Sequence, residues 1–294
     1  MSKTPDKKHD VETTGHVWDG IEEYNNPLPR WWLWTFYGTI AWGLIYTIAY
    51  PAWPMIQEAT PGFLGYSTRA LVAEDIATVN ERNAGITERL ANVELASIGD
   101  DAELLTYARN AGAALFRSNC SQCHGSGAAG VQASGYPNLL DDDWLWGGEI
   151  DQIAWTITHG IRNEQSPDSH WSQMPAFGEL LEPGEIGQLV AYVQQISGQD
   201  HDAALAVPGA VLFEEQCSSC HGAEGMGDPA IGAPNLTDAI WLYGGSAERL
   251  TETITYSRFG VMPAWSEEYR SAGGLSQAEI NAVATYVHSL GGGE

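Results

Sequence analysis

The chain has 294 residues, with 13 basic and 38 acidic side chains and a formal charge of −25 at neutral pH. That length holds about two domains of ordinary size with segments to spare. So acidic a surface excludes nucleic acid as a partner and favours a basic protein, although acidity alone also keeps an exported protein soluble. The charge is uneven: Lys3, Lys7 and Lys8 are the only lysines, and from residue 31 onward nine arginines face 32 acidic residues, a net −23.

In chain order, a polar lead covers residues 1–30. Residues 31–50 (WWLWTFYGTIAWGLIYTIAY) then carry no charge, and none follows before Glu58. As a helix rising about 1.5 Å per residue this run would be about 30 Å long, the thickness of a bilayer's hydrocarbon core. Arg30 with Trp31, Trp32 and Trp34 bounds it on one side, and Tyr50 and Trp53 with Pro51 and Pro54 on the other, as aromatic belts bound a span. A cleaved signal peptide would also be apolar, but the long polar lead, the length of the run and the lack of a small-x-small cleavage site predict a retained anchor over residues 31–56. Lys3, Lys7, Lys8 and Arg30 precede it, whereas Arg69 alone follows closely. The N-terminal segment, 1–30, is therefore expected in the cytoplasm and everything after the span in the periplasm of a bacterium, with one pass through the inner membrane.

Residues 57–102 read as a spacer, with a polar helix over 69–96. Beyond it the sequence repeats. Ala114-Leu115-Phe116 answers Val211-Leu212-Phe213, Pro137-Asn138-Leu139 answers Pro234-Asn235-Leu236, and Trp144-Leu145-Trp146-Gly147-Gly148 answers Trp241-Leu242-Tyr243-Gly244-Gly245, all at an offset of 97. Met174-Pro175-Ala176-Phe177 answers Met262-Pro263-Ala264-Trp265 at an offset of 88, so the first copy carries nine extra residues around 161–173. This is a tandem duplication, with copies at 103–200 and 205–294 joined by a linker over 198–207. Each copy reads as helical. Ser276 and Glu279 form a capping box ahead of Ile280, Val283, Ala284, Val287 and Leu290 at helical spacing. In the first copy Pro183 opens the equivalent helix, which carries Ile186, Leu189, Val190, Val193 and Ile196. Residues 103–119 and 209–216 read as the helices entering each motif below, and the Gly- and Asn-rich stretches after the motifs as wrapping loops.

All four cysteines fall in Cys120-Ser121-Gln122-Cys123-His124 and Cys217-Ser218-Ser219-Cys220-His221. Cys-x-x-Cys-His is the attachment signature of c-type haem: Cys120, Cys123, Cys217 and Cys220 would form thioethers to the vinyl groups, with His124 and His221 placed to ligate iron. A zinc site or a thioredoxin-like redox pair also uses Cys-x-x-Cys, but both leave the adjacent histidine unexplained twice. Two covalent haem c groups are therefore expected.

An electron-transfer haem holds iron from both faces, often with Met opposite His. Met174 and Met262 lie 50 and 41 residues after the histidine of their own copy, each ahead of Pro-Ala and an aromatic, and each is expected to serve that copy. Met226, five residues after His221, is too near to swing round the ring. His159 and His170 are alternative partners, but neither is matched in the second copy. Arg162 and Arg258, and the indoles of Trp144 and Trp241, are candidates for haem propionates, against surface ion pairing for the arginines and packing on the ring edge for the tryptophans.

Residues 13–42 (TTGHVWDGIEEYNNPLPRWWLWTFYGTIAW), the DDDWLWGG and QMPAFG segments and the tail YVHSLGGGE resemble the membrane-anchored dihaem subunit of cbb3-type cytochrome c oxidases, the CcoP/FixP type. The resemblance spans nearly the whole chain. It implies a mainly α fold, one N-terminal transmembrane helix followed by two tandem class I cytochrome c domains. It also implies an electron-transfer subunit, not an enzyme by itself, that takes electrons from a periplasmic cytochrome c. Its implied neighbours are a haem-copper catalytic subunit that reduces oxygen and a monohaem subunit. The family's methionine ligands map onto Met174 and Met262.

Overall fold

The computed structural model describes residues 11–293; Glu294 and residues 1–10, which hold the three lysines of the expected cytoplasmic segment, lie outside the described residues. The chain divides into two compact units, Met1–Glu81 and Arg82–Glu294.

In the first unit, β1 (Thr13–Trp18) and β2 (Ile21–Tyr24) form an antiparallel hairpin. Asp19 and Gly20 turn it with φ of 50° and 84°, the left-handed pair that a tight two-residue turn requires. The polar-lead reading passed over this Asp-Gly signal. Helix α1 (Arg30–Ala49) follows, 20 residues with none buried. Its threonines satisfy themselves internally: Thr35, Thr39 and Thr47 hydroxyls donate to the carbonyls of Trp31, Phe36 and Leu44 at 2.9, 2.7 and 2.9 Å. Two of its last carbonyls, on Ile48 and Ala49, accept from Phe63 and Leu64 at 2.8 and 3.0 Å as the chain turns back. Among the described residues no helix is long and apolar enough to cross a membrane. Helix α1 has the length, but Trp31, Trp32, Trp34, Tyr37, Trp42 and Tyr46 lower its mean hydropathy.

Helix α2 (Thr68–Asn92) runs on into the second unit. Its end is not simply a polar spacer: Leu90 is 1% exposed and, with Leu95 and Ile98 of a following 3-10 turn, belongs to a core. Each repeat copy then supplies four helices. The first has α3 (Ala102–Leu115), a π turn at Phe116–Cys120, the short α4 (Ser121–His124), α5 (Ile150–His159) and α6 (Pro183–Ile196). The second has α7 (Ala203–Gln216), α8 (Ser218–His221), α9 (Ala247–Tyr256) and α10 (Gln277–His288). The capping box of Ser276 and Glu279 opens α10, with Glu279 accepting from the Ser276 backbone at 2.9 Å. Helix α7 starts inside the expected linker because Asp202 caps it, accepting from Ala204 at 2.9 Å, so that the helix is nucleated ahead of Pro208. The loops expected after each motif contain α5 and α9, whose start signals were Glu149 with Gln152 and the N-cap Ser246.

The two copies exchange their last helices. Helix α10 packs on α3 and α5 of the first copy, while α6 packs on α7 and α9 of the second. One core gathers Leu104, Phe116, Ile153 and Ile157 with Ile280 and Val283; the other gathers Phe213, Leu250 and Ile254 with Ile186, Leu189 and Val193. Phe116 meets Tyr286 at 5.5 Å between ring centroids, and Phe213 meets Tyr192 at 5.1 Å. Burying one such aromatic contributes about 1.5–3 kcal/mol. Both helix crossings turn on a glycine. A Cβ on Gly112 would lie 2.1 Å from the carbonyl oxygen of Ala282, and one on Gly209 would lie 2.0 Å from that of Gln188.

Replacing Gly112 with Ala therefore forces α3 and α10 apart, with an expected loss of about 1–3 kcal/mol. Thermal unfolding of the haem-loaded chain measures it, and Gly99→Ala, where a Cβ meets nothing within 4 Å, is the control.

Candidate haem centres

In each motif the two cysteines and the histidine occupy positions i, i+3 and i+4 of a helical turn, which sets all three on one face. None of the four cysteines forms a disulfide; Cys120 and Cys217 are half-buried, Cys123 and Cys220 exposed. Burial first, and then the neighbouring thiol of each pair, pushes Cys120 and Cys217 up to about 11.

The histidines are oriented alike. His124 Nδ1 lies 3.3 Å from the Pro137 carbonyl oxygen, and His221 Nδ1 lies 3.1 Å from that of Pro234. A carbonyl only accepts, so Nδ1 carries the hydrogen in each and Nε2 is left as the basic atom. Burial lowers both histidines below the ordinary imidazole range, outweighing the opposite pull of that hydrogen bond. A neutral ring, fixed by a carbonyl behind it and free at Nε2, is the form in which histidine ligates a metal.

The methionines follow the exchanged helices, which corrects the expectation that each packs in its own copy. Met262 packs into the core that contains Cys120, and Met174 into the core that contains Cys217. A cavity of about 450 Å³ is lined by Met174 together with Cys217, Cys220 and His221, and by Leu236, Trp241 and Leu250. The crossing strands are hydrogen-bonded to each other: Ile161 and Met262 exchange backbone bonds at 2.9 and 3.0 Å, and Ser257 Oγ donates to the Met174 carbonyl. Arg162 Nε donates to the Gly260 carbonyl at 2.7 Å. The wrapping loops also meet across the repeat, with Gly135 against the Tyr243 ring and Gly232 against Trp146, positions that correspond at the offset of 97.

Of the other candidates, Met226 is 63% exposed. His159 is buried between Trp155 and Tyr269, with Nδ1 2.8 Å from Ser166 Oγ. Trp144 spends its indole N–H on the carbonyls of Asp141 and Gly292, which removes it as a propionate donor. Arg162 and Arg258 both line the cavity, as does Trp241. Arg162 also gives Nη1 to the Ser172 carbonyl at 2.6 Å. Arg258 Nη2 is ion-paired with Glu252, while its Nε is buried without a hydrogen bond, as are Trp146 Nε1 and His170 Nε2. An apolar cleft beside a thiol pair, with buried donors at its rim, suits a flat apolar ring that carries carboxylates. Trp146 and His170 are stacked at 4.3 Å, and the repeat counterpart of Trp146, Tyr243, lines the cavity, a residue that the sequence reading passed over.

Residues 10–57 match the N-terminal domain of cytochrome oxidase-cbb3, FixP; residues 108–193 match cytochrome c oxidase, cbb3-type, subunit III; and residues 206–291 match cytochrome c. The cbb3-type cytochrome c oxidase subunit CcoP of Cereibacter sphaeroides is 58% identical over 298 residues, covering all of both chains. That of Rhodobacter capsulatus is 56% identical over 299 residues with the same coverage. The FixP subunit of Azorhizobium caulinodans is 48% identical over 283 residues, 96% of this chain and 94% of its own. The chain belongs to the CcoP/FixP family of cbb3-type cytochrome c oxidase subunits. Two haem c groups, one for each motif, follow from that membership, and the cavity beside Cys217, Cys220 and His221 has room for a flat ring.

In this CcoP/FixP chain the Asp143 carboxyl is shifted upward. Asp143 lines the cavity and is pushed up to about 6, by burial first and then by Asp238, Asp141 and Asp142. The folded carboxyl keeps its proton to higher pH than the unfolded one, so its stabilising contribution is complete below about pH 4 and lost as pH rises through about 6. Asp143→Asn is expected to exceed the parent in stability by on the order of 1 kcal/mol at about pH 8 and by nothing at about pH 4. Thermal unfolding at the two pH values measures this, and an equal difference at both would remove burial as the cause.

Proposed function

We propose that this chain is the membrane-anchored dihaem electron-transfer subunit of a cbb3-type oxidase. It relays electrons from a periplasmic cytochrome c towards a separate oxygen-reducing subunit and is not an enzyme by itself. The observation that carries this reading is doubled: two histidines, each with Nδ1 held by a proline carbonyl, follow a cysteine packed on a core that a methionine also enters. Iron in bound haem c supplies reversible one-electron chemistry, and methionine opposite histidine raises its potential.

The chain's residues do the rest. Cys120, Cys123, Cys217 and Cys220 would hold the two groups covalently, with His124, His221, Met174 and Met262 as the residues that would bind iron. With a histidine and a methionine for each iron, no position would remain for oxygen or peroxide. Arg258 would offer its unspent Nε to a propionate, and Arg162 adds positive charge at the same rim. Residues 31–56 cross the inner membrane once with the N-terminus in the cytoplasm. Support for the span is the uncharged run, the self-satisfied threonines and the aromatics at both ends; tryptophan and tyrosine depress a hydropathy average yet are the residues that membranes select at their interfaces. The partners are the haem-copper catalytic subunit, a monohaem subunit and a basic donor cytochrome c.

Gentle solubilisation tests the assembly. Recovery of this chain with a copper-containing oxidase core is expected; recovery alone would make it a free-standing shuttle, and steady peroxide turnover by the isolated chain would make it a peroxidase. The charge of −25 should steer the donor. Stopped-flow reduction by a basic cytochrome c is expected to slow by about tenfold or more between low and physiological salt, and a flat dependence would remove that partner.

A further inference from the structure

Resting on the proposal that a basic cytochrome c is the electron donor, we infer that the donor docks on the second repeat copy, beside the exposed Cys220. One electron then passes from the donor, which is oxidised, to the centre that contains His221, which is reduced, and the centre that contains His124 lies downstream. Exposure does not choose between the two, because Cys123 and Cys220 are both exposed. Charge does. Residues 104–140, around the first motif, hold Arg109 and Arg117 and no acid, a net +2. The equivalent residues at the offset of 97, 201–237, hold Asp202, Glu214, Glu215, Glu224 and Asp228 with no lysine or arginine, a net −5. Position by position, Glu214 stands where the first copy has Arg117, Glu215 where it has Ser118, Glu224 where it has Gly127 and Asp228 where it has Val131. Over their whole lengths the copies hardly differ: 103–200 has three basic and twelve acidic residues, a net −9, and 205–294 three and eleven, a net −8. Acidity that served solubility alone has no reason to withdraw from one attachment motif and gather at the other. Even the acids that follow the first segment, Asp141 and Asp143, line the cavity beside Cys217.

The fold holds these acids beside the motif. Helix α7 buries Ala206, Gly209 and Phe213 and turns Val207, Val211, Glu214 and Glu215 outward. Ser218 Oγ, one residue past Cys217, donates to the Glu214 carbonyl at 2.6 Å, so Glu214 and Glu215 stand on the turn that enters the motif. The loop that carries Glu224 and Met226 is tied back to it. The Gly227 amide donates to the His221 carbonyl at 2.8 Å, and the Leu236 amide to the Gly225 carbonyl at 2.7 Å. Glu214, Glu215, Glu224 and Asp228 are exposed and, among the described residues, enter no ion pair. Apolar side chains are exposed between them: Val207 at 72%, Val211 at 59% and Met226 at 63%, where the first copy has Asn110, Ala114 and Ala129. A protein interface combines an apolar centre with a charged rim, and the sign of the rim selects the partner and speeds the encounter. Unpaired carboxylates around exposed apolar side chains fit a basic protein that presents lysines around an apolar edge of its own. Met226 and the valines, which no ligand role uses, thereby acquire one as the uncharged part of this surface.

The test is stopped-flow reduction of the full-length, haem-loaded chain in detergent by ferrous mitochondrial cytochrome c, a basic monohaem protein, with haem content and circular dichroism to report folding. In the triple variant Glu214→Gln, Glu215→Gln, Glu224→Gln the second-order rate at low salt is expected to fall by about tenfold and its decline with added salt to flatten. Arg109→Gln with Arg117→Gln, at the other motif, is expected to change the rate by less than about twofold. A triple variant as fast and as salt-dependent as the parent would overturn the docking surface and leave the basic donor standing. A larger change in the arginine variant than in the triple variant would move docking to the first copy and overturn it equally. A parent rate indifferent to salt would instead remove the basic donor, and the surface with it. Carbodiimide coupling of the unmodified pair, which joins lysine to carboxylate, gives a readout that depends on no substitution. Cross-links from donor lysines to Glu214, Glu215, Glu224 or Asp228 are expected, and cross-links confined to carboxylates elsewhere would refute the surface.

Discussion

Each core of the second unit closes where an entry helix, carrying glycine at the point of contact, receives an exit helix from the other repeat copy. With no side chain at Gly112 or Gly209 the backbones touch, and the flanking aromatics, Phe116 with Tyr286 and Phe213 with Tyr192, seal the crossing. Everything that defines a site hangs from these two crossings. The entry helix leads directly into the cysteine pair and histidine, and the exit helix follows the methionine loop, so one contact brings both faces of a site to a common distance.

A second constraint acts on the imidazoles. A buried histidine with one nitrogen committed to a carbonyl has a single tautomer and a single ring orientation, so the basic nitrogen points where the chain needs it. Pro137 and Pro234 supply that carbonyl at equivalent places in the two loops, and burial keeps both rings uncharged. The rim is less symmetric. Arg258 keeps one buried nitrogen, Nε, without a hydrogen bond, whereas Arg162 spends two of its donors on carbonyls of the crossing segments.

Exchange of equivalent elements between identical protomers is a familiar way to build dimers, and here the same logic operates within one chain. Because the copies are joined covalently, the exchange has no concentration dependence, and the wrapping loops of the two copies are held against each other through the Gly135–Tyr243 and Gly232–Trp146 contacts.

Much of this was legible in the residues. The attachment motifs, the offset of 97, the capping box of Ser276 with Glu279 and the Pro183 start each encode a local rule that tertiary context did not override. The hairpin at Asp19-Gly20, the Asp202 cap and the α5 and α9 starts were equally local and were overlooked amid polar sequence. The anchor-length run and the histidines beside their cysteine pairs are properties of consecutive residues, and the sequence alone determined them. Which copy each methionine and exit helix joins was decided by tertiary structure. A repeat offset is the same whether two equivalent helices pack at home or trade places, because the apolar faces that meet are equivalent too; only the short reach from Ser257 to Met262 and the hydrogen bonds between the crossing strands separate the two arrangements.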